Sequence, residues 1–147
     1  GIPAEPLFRS ASAATRNTVP KTREERINAA GGEYRYHSTT AGALPGIYKE
    51  GLKPSKRGYA GKGVYFSDSE EKSLAWMAET TGGDKVLRVK TSYLRDKTDY
   101  DEIDDEQGLT TKKIPSKYIE VKDRRGNWVS LESYAKRYWR SFGISPY

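Results

Sequence analysis

The segment GKGVYFSDSEEKSLAWM constrains the fold most, because a glycine loop, an apolar strand and a capped helix follow one another in it without a break. The two glycines that flank Lys62 allow the backbone to approach a neighbour closely. Residues 63–67 form an apolar run of strand length. Ser69 then stands at the N-cap of a predicted helix over residues 69–80, which stops at Gly82-Gly83. A buried strand of this kind needs partners, so the segment predicts a sheet covered by helices.

Further helices and strands are predicted on both sides of this unit, and together they define an α+β fold whose strands need not be parallel. The predicted helices cover residues 20–30, 39–50 and 130–141. The first has Thr18 as its N-cap and ends at Gly31-Gly32, and the second ends at Gly51. The predicted strands cover residues 33–38, 85–91, 109–113 and 118–122, with a hairpin turn at Gly126-Asn127. The predicted loops cover residues 52–62 and the acidic stretch 95–108. Residues 1–19 predict a linker or an extended arm, and residues 20–147 a single domain.

The composition excludes several kinds of site. The chain has 147 residues, which suits one domain, and it contains no cysteine and a single histidine. Disulfides, thiolate metal sites and two-histidine metal chemistry are therefore excluded. No run of about 18 apolar residues is present, so we expect no membrane span. The chain begins at Gly1 without a signal-like stretch, and we expect it to be a piece of a longer protein or a processed domain.

Charge is divided unevenly along the chain, whose formal net charge is +6. Residues 95–107 contain seven acidic and two basic residues, whereas residues 112–147 contain nine basic and three acidic ones. The basic segment interleaves Tyr134, Tyr138 and Trp139 with its cations, which is typical of polyanion binding. A solvated helix face has the same composition, so both interpretations stay open. The basic residues are Lys112, Lys113, Lys117, Lys122, Arg124, Arg125, Lys136, Arg137 and Arg140.

Two groups of residues in the middle of the chain suit a planar amide ligand. His37, the only histidine, lies in a predicted strand and is followed at once by the hydroxyl residues Ser38 and Thr39. Ser73 and Trp76 are three residues apart on one predicted helix, so they share a face. There the aromatic ring could stack on a planar amide while the hydroxyl bonds the carboxamide. Each of these residue types is also typical of a packed core, so the residues alone leave both interpretations open.

The stretch YHSTTAGALPGIYKEGLKPSKRGYAGKGVYFSDSEEKSLAW resembles the ADP-ribosyltransferase superfamily, in the branch that contains the poly(ADP-ribose) polymerases and the diphtheria-type toxins. That pattern has a His-Gly-Ser/Thr strand, a helix with a Gly-Leu turn, a glycine loop that runs into Gly-Lys-Gly-Ile/Val-Tyr-Phe, and Lys-Ser with an aromatic residue three positions after the serine. GKGVYFSD and KSLAW match it almost letter for letter, and the resemblance covers about residues 34–93. It implies an ADP-ribosyltransferase-like split β-sandwich with flanking helices, and NAD+ as co-substrate without a metal.

The resemblance implies an NAD+ pocket with seven residues. These are His37, Ser38, Thr39, Gly63, Tyr65, Ser73 and Trp76. His37 and Thr39 correspond to the groups that bind the adenosine-side ribose. Ser38 stands where the family usually has a glycine, which holds the nicotinamide carboxamide through its backbone.

On the nicotinamide side, Tyr65 corresponds to the tyrosine of the strand that flanks the pocket. Ser73 corresponds to the serine that bonds the carboxamide oxygen. Trp76 stands where the branch has its stacking tyrosine, and an indole also suits the positive charge that nicotinamide carries in NAD+. The resemblance therefore implies that this side of the pocket is intact.

The third catalytic position of the family, beside the histidine, is usually a glutamate on a late strand. That carboxylate binds a hydroxyl of the nicotinamide ribose and stabilises an oxocarbenium-like transition state. In related toxins it falls about seven or eight residues before an Ile-Pro turn, and Ile114-Pro115 supplies that turn here. The spacing points to Glu106 or Gln107 as the catalytic partner of His37. Glu106 would supply the usual carboxylate, whereas Gln107 would bind the ribose but could not act as a base.

The resemblance implies transfer of ADP-ribose from NAD+ to a macromolecular acceptor, and the basic segment favours RNA over protein. The alternatives are an NAD+ glycohydrolase, an RNA 2′-phosphotransferase-like enzyme, and a non-catalytic nucleic-acid-binding module on the same fold. A small transferase of this format is typical of a toxin domain at the C-terminal end of a bacterial polymorphic (Rhs-type) effector, delivered to the cytoplasm of a target cell. We accordingly expect a monomer, with an immunity protein as a further partner.

Overall fold

A computed structural model describes residues 21–56, 58, 60–80, 83–105 and 107–145. The predicted arm at residues 1–19, which includes the N-cap Thr18, lies outside the described residues, and so do Gly82 and the candidate catalytic residue Glu106. The described chain combines helices with one sheet of antiparallel strands, which agrees with the predicted α+β class. None of the helices that the structure describes is long and apolar enough to span a membrane.

Six helices and seven strands make up the described chain. The helices are α1 (Arg23–Ala30), α2 (Leu44–Glu50), α3 (Glu70–Thr80), α4 (Thr91–Lys97), α5 (Leu131–Arg137) and α6 (Trp139–Phe142), with 3₁₀ turns at Ala41–Ala43 and Ser116–Tyr118. The strands are β1 (Tyr34–Thr39), β2 (Val64–Ser67), β3 (Lys85–Lys90), β4 (Asp101–Glu102), β5 (Gln107–Thr110), β6 (Glu120–Lys122) and β7 (Trp128–Ser130).

The strands form one sheet in the order β4-β5-β2-β1-β3-β6-β7, and each neighbouring pair is antiparallel. β1 and β3 are joined by six residue pairs, and β2 and β5 by four. β1 and β2 are joined by the single pair Tyr36↔Ser67. The sheet therefore opens between β1 and β2 beyond that pair, and we call this opening the seam.

The two faces of the sheet have different environments. Directly opposed residues of antiparallel strands lie on the same face, and successive residues alternate between faces. The core face carries Phe66, Leu87 and Val121 and packs in the main hydrophobic cluster. The other face, which we call the α3 face, is crossed by α3, whose Glu70 forms an ion pair with Lys122 at 2.8 Å. The α3 face carries Tyr36, Ser38, Tyr65, Ser67, Val86, Arg88, Gln107, Glu120, Lys122 and Trp128.

Capping residues fix several helix boundaries where the sequence predicts them. Gly31 and Gly51 follow α1 and α2 with φ of 69° and 80°, values at which glycine avoids the clash that a Cβ would cause. The Ser69 hydroxyl accepts a hydrogen bond from the backbone N–H of Lys72 at 3.1 Å and caps α3. These ends are local features, so the sequence pattern was sufficient to predict them.

Three predicted helices have different boundaries in the structure. The helix predicted over residues 39–50 begins only at Leu44, because Thr39 ends β1 and a 3₁₀ turn covers Ala41–Ala43. The sequence favours Thr18 as the first N-cap, but α1 begins only after Thr22, because Thr22 and Glu25 form a reciprocal capping box. The single helix predicted over residues 130–141 is divided into α5 and α6 by Tyr138, whose φ and ψ are −111° and 39°. This break turns the chain and accompanies the burial of Phe142 in the core.

The acidic segment, residues 95–108, is not a loop. It contains the end of α4, all of β4 and the start of β5. Arg35 is a main reason, since its fully buried guanidinium lies 3.3 Å from the Glu102 carboxylate, 67 residues away in the chain. The Tyr100 hydroxyl also donates a hydrogen bond to the Glu102 carboxylate at 2.7 Å. Burial raises the pKa of the Glu102 carboxyl, although Tyr100 and Arg35 both act to lower it.

Candidate active site

A side-chain bond from His37 bridges the seam. Its ring nitrogen Nδ1 lies 2.7 Å from the backbone carbonyl oxygen of Tyr65 on β2. A carbonyl oxygen only accepts hydrogen bonds, so Nδ1 carries the proton and the neutral ring presents Nε2 as an acceptor. The residue is partly exposed, and no described residue hydrogen-bonds Nε2. His37 is therefore placed to accept a hydrogen bond from a ligand hydroxyl at the seam.

Burial lowers the pKa of the His37 imidazole below the usual 6.5, and the bond to Tyr65 offsets only part of this effect. The unfolded chain therefore takes up the proton more readily than the folded chain. It follows that the free energy of unfolding decreases as the pH falls below about 6.5. His37 is the only histidine, so urea denaturation of wild type and His37→Gln between about pH 5 and 7 should show this slope in the wild type alone. A histidine pKa above 6.5 in an NMR titration would contradict the prediction.

Gln107 begins β5 and is paired with Ser67, one strand away from the closed end of the seam. It is 8% exposed and lies on the α3 face. Its side-chain oxygen Oε1 is buried and has no hydrogen-bond partner among the described residues. A buried polar atom left in this state costs free energy and requires an explanation. A ligand hydroxyl that donates to Oε1 would supply one.

Strand alternation divides the predicted pocket residues between the two faces. Ser38 and Tyr65 share the α3 face with Gln107, whereas His37 and Thr39 belong to the core face. The four residues on β1 and β2 are partly exposed. A ligand that contacts them all has to enter the seam, where β1 and β2 no longer pair and both faces are within reach.

Tyr65 and Gly63 shape the glycine loop next to the seam. The Tyr65 hydroxyl accepts a hydrogen bond from the backbone N–H of Ala60 at 3.1 Å and donates to the carbonyl of Gly61. A side chain at Gly63 would meet the Cδ1 atom of Leu109 at 2.7 Å. The close approach that Gly63 permits is thus made by β5, and the residue is explained without a ligand contact.

α3 places Ser73 and Trp76 above the α3 face. Ser73 is 2% exposed, and Met77, one turn further along, is fully buried. A side chain at Gly83 would meet both the Met77 methyl group and the Thr39 carbonyl at 2.6 Å, so this part of α3 lies at the open end of the seam. Trp76 is 45% exposed, which excludes it from the core and leaves part of its ring accessible.

A cleft of about 350 Å³ lies at the β4–β5 connection, next to Gln107. Asp68, which directly follows β2 and ends the GKGVYFSD motif, lies in its wall, a position that the motif alone did not reveal. The described residues of its lining carry four carboxylates and two cations, so the cleft disfavours phosphate groups. It is formed by Lys21, Arg26, Ala29, Ala30, Asp68, Glu102, Ile103, Asp104 and Asp105.

The basic C-terminal segment is partly packed onto the domain. Tyr134 is 5% exposed, and its ring centroid lies 4.5 Å from that of Tyr138. Arg137 forms an ion pair with Asp123 at 3.0 Å. Tyr134 is therefore a core residue and presents no ring to a polyanion, which removes one member of the predicted aromatic and basic pattern.

The described residues contain no group of three or more His, Asp and Glu side chains that could hold a metal ion. The candidate site combines imidazole, hydroxyl, indole and amide groups near the seam, which belong to His37, Ser73, Trp76 and Gln107. In the comparisons with known proteins, no family model and no curated sequence matches the chain.

Proposed function

We propose that the chain is an NAD+-dependent ADP-ribosyltransferase that modifies a macromolecular acceptor. The observation that carries this proposal is the buried amide oxygen of Gln107, which lacks a partner among the described residues and lies one strand from the seam that His37 bridges. The sequence resemblance assigns His37 to catalysis and gives Gln107 or Glu106 as its partner. A sheet that opens between β1 and β2 also supports the proposed split β-sandwich of that superfamily.

In the proposed complex, the nicotinamide ring of NAD+ stacks on the exposed part of Trp76, and the Ser73 hydroxyl bonds its carboxamide. Nε2 of His37 accepts a hydrogen bond from a hydroxyl of the adenosine-side ribose. Oε1 of Gln107 accepts one from a hydroxyl of the nicotinamide ribose. These contacts hold both ends of a bent NAD+ and fix its glycosidic bond at the seam.

The proposed reaction is dissociative. The bond between the nicotinamide nitrogen and the ribose carbon breaks, and its electron pair leaves with nicotinamide. The oxygen dipole of Gln107 stabilises the positive charge that develops on the ribose. A nucleophile of the acceptor then forms the new bond to that carbon. The neutral amide of Gln107 is no base, so the proton of the acceptor passes to solvent.

His37→Ala is expected to abolish NAD+ binding with little loss of fold, because it removes a ribose contact at a partly exposed position. Wild-type protein incubated with NAD+ labelled in its adenylate half and with cell lysate should release nicotinamide and transfer the label to macromolecules. The variant should do neither, while its circular dichroism spectrum stays that of the wild type. Undiminished label transfer by His37→Ala would place the site elsewhere.

Trp76→Ala should weaken NAD+ binding by on the order of 1–3 kcal/mol, the size of a lost stacking contact. Stability should change by less than about 0.5 kcal/mol, since the residue is 45% exposed. Leu74→Ala is the matched control, because Leu74 is 43% exposed on the same helix and has no assigned role. Calorimetric titration and urea denaturation give both quantities. A destabilised Trp76→Ala that binds NAD+ normally would make Trp76 a packing residue.

We propose RNA rather than protein as the acceptor, on the basis of the net charge of +6. The transferred label should then be lost on ribonuclease treatment and survive protease, and the reverse result would identify a protein acceptor. Nicotinamide release without label transfer would identify an NAD+ glycohydrolase. No turnover at all would favour a nucleic-acid-binding module.

A further inference from the structure

A groove of about 270 Å³ lies on the β3 side of β1, away from the seam. Tyr34 on β1 lies opposite Lys90 on β3, and Arg88 lies two residues before Lys90 on the same face. Strand register therefore brings these three side chains together in the groove. We call it the tyrosine groove. Its aromatic and cationic lining consists of Tyr34, Tyr93, Tyr118, Arg88, Lys90 and Lys117.

A row of rings and a cation begins at Tyr34 and Arg88 in the tyrosine groove and continues beyond the groove along the sheet. The Arg88 guanidinium lies 3.8 Å from the centroid of the Tyr34 ring and 4.4 Å from that of Trp128. The Tyr36 ring follows, 5.9 Å from Trp128. These rings are partly exposed and lie outside the core-face cluster. The row leads along β1 toward the seam, because Tyr36 directly precedes His37.

The lining of the tyrosine groove also contains a stacked pair of rings. Tyr93 on α4 and Tyr118 on the second 3₁₀ turn lie with their centroids 4.0 Å apart and their planes at 25°. Tyr118 is 40% exposed, and the Lys117 ammonium lies 5.1 Å from its ring centroid. A stacked pair with an exposed member offers a flat surface on which another planar ring can stack.

The charge of the tyrosine groove favours an anionic ligand. Glu120 is the one carboxylate among the described residues of its lining, and it is paired with Arg88 at 2.7 Å. Lys90 and Lys117 are exposed and have no ion-pair partner in the described part of the chain. Three cations and one carboxylate leave an excess of two positive charges next to flat rings. The cleft at the β4–β5 connection has the opposite charge, so a polyanion is directed to the groove and away from the cleft.

We propose that the tyrosine groove binds single-stranded nucleic acid, with bases stacked on Tyr118 and Tyr34 and phosphates held by Lys90 and Lys117. Exposed rings on a sheet together with cations are the two features by which proteins hold single strands. A duplex keeps its bases stacked on one another, and an acidic peptide brings few flat rings, so neither uses both features. Binding itself needs no NAD+, whereas a role in guiding an acceptor to the seam rests on the proposed transferase activity.

Fluorescence polarisation of a short fluorescein-labelled oligouridylate, without NAD+, tests the groove. The double variant Lys90→Glu/Lys117→Glu should weaken binding by roughly ten-fold or more and flatten its salt dependence. Tyr118→Ala should weaken binding by roughly ten-fold while preserving that salt dependence. Lys112→Glu/Lys113→Glu is the matched control, because it makes the same change of charge at two exposed lysines that follow β5, and it should have a much smaller effect.

Equal weakening by both charge-reversal pairs would overturn the proposal, since binding would then follow net charge alone. Tighter binding of an RNA duplex than of the single strand would overturn it as well, and so would equal competition by polyglutamate. Binding of the corresponding oligothymidylate supports the same groove and shows that the ribose hydroxyl is not read. Melting curves by circular dichroism confirm that each variant is folded.

The proposed nucleic-acid binding in the groove and the proposed transferase activity can be overturned separately. Oligonucleotide binding without NAD+ turnover would overturn the transferase and retain the groove. Nicotinamide release from NAD+ without oligonucleotide binding would overturn the groove and retain the pocket. Lys90→Glu/Lys117→Glu should leave nicotinamide release from free NAD+ at the wild-type rate, because neither lysine belongs to the proposed pocket.

Discussion

Gln107→Ala is expected to lower NAD+ turnover by a factor on the order of 10²–10³ and to leave the affinity for NAD+ nearly unchanged. The amide oxygen of Gln107 faces charge that develops only as the glycosidic bond breaks, so its loss affects the transition state more than the bound substrate. Nicotinamide release under saturating NAD+ measures the first quantity, and calorimetric titration measures the second. A variant that loses affinity and turnover in equal proportion would make Gln107 a binding residue.

Two further variants identify the third catalytic position. Glu106→Gln should keep most of the turnover if Gln107 is that residue, and a loss confined to Glu106→Gln would transfer the role to Glu106. Gln107→Ala should also lower the free energy of unfolding by less than is usual for a buried residue. The reason is that Oε1 makes no hydrogen bond to a described residue that the substitution would remove. If neither variant reduces turnover, the alignment to the Ile-Pro turn is wrong.

Arg35→Met is expected to destabilise the domain by about 3–5 kcal/mol, the cost of leaving a buried carboxylate without its cation. The Arg35 guanidinium also donates hydrogen bonds to the carbonyl of Ile27 at 3.2 Å and to the Thr91 hydroxyl at 3.0 Å. It thereby connects α1, β1, the start of α4 and β4. Urea denaturation at neutral pH measures the loss. A variant within about 1 kcal/mol of wild type would show that Glu102 is well solvated.

The double variant Arg35→Met/Glu102→Gln separates the charge from the packing. It should recover part of the loss at neutral pH, because a neutral amide needs no counter-charge. Without Arg35 the pKa of Glu102 rises further, and a raised carboxyl pKa contributes stability at low pH that is lost as the pH increases. The deficit of Arg35→Met should therefore be smaller at pH 5 than at pH 8. A deficit that does not change with pH would assign the effect to lost packing.

The sequence was sufficient for those parts of the fold that depend on neighbours in the chain. Gly51 and Ser69 end and begin helices through backbone groups only a few residues away. The alternation of residues 85–91 likewise predicts β3, because one face of that strand is in the core. In the candidate site, the helix that carries Ser73 and Trp76 was predictable from local sequence, but their unequal burial, 2% and 45% exposed, was not.

The parts that sequence reasoning missed depend on contacts between distant residues. β4 lies in an acidic stretch, and the partner that helps to hold Glu102 in place, Arg35, comes 67 residues earlier. The sequence around Tyr134 is compatible with a ring that faces a polyanion and with a ring in the core. Tertiary packing places the ring in the core. The row formed by Tyr34, Arg88 and Trp128 comes from three strands, so no local pattern reveals it.

The seam also determines how the chain can be divided. β2, β4 and β5 lie on one side of it, and β1, β3, β6 and β7 lie on the other. The backbone crosses from side to side four times, between β1 and β2, β2 and β3, β3 and β4, and β5 and β6. Neither half of the sheet is a continuous piece of sequence, so each half forms only when the other closes its loops. A protein cut into an N-terminal and a C-terminal fragment should therefore regain structure only when both fragments are present together.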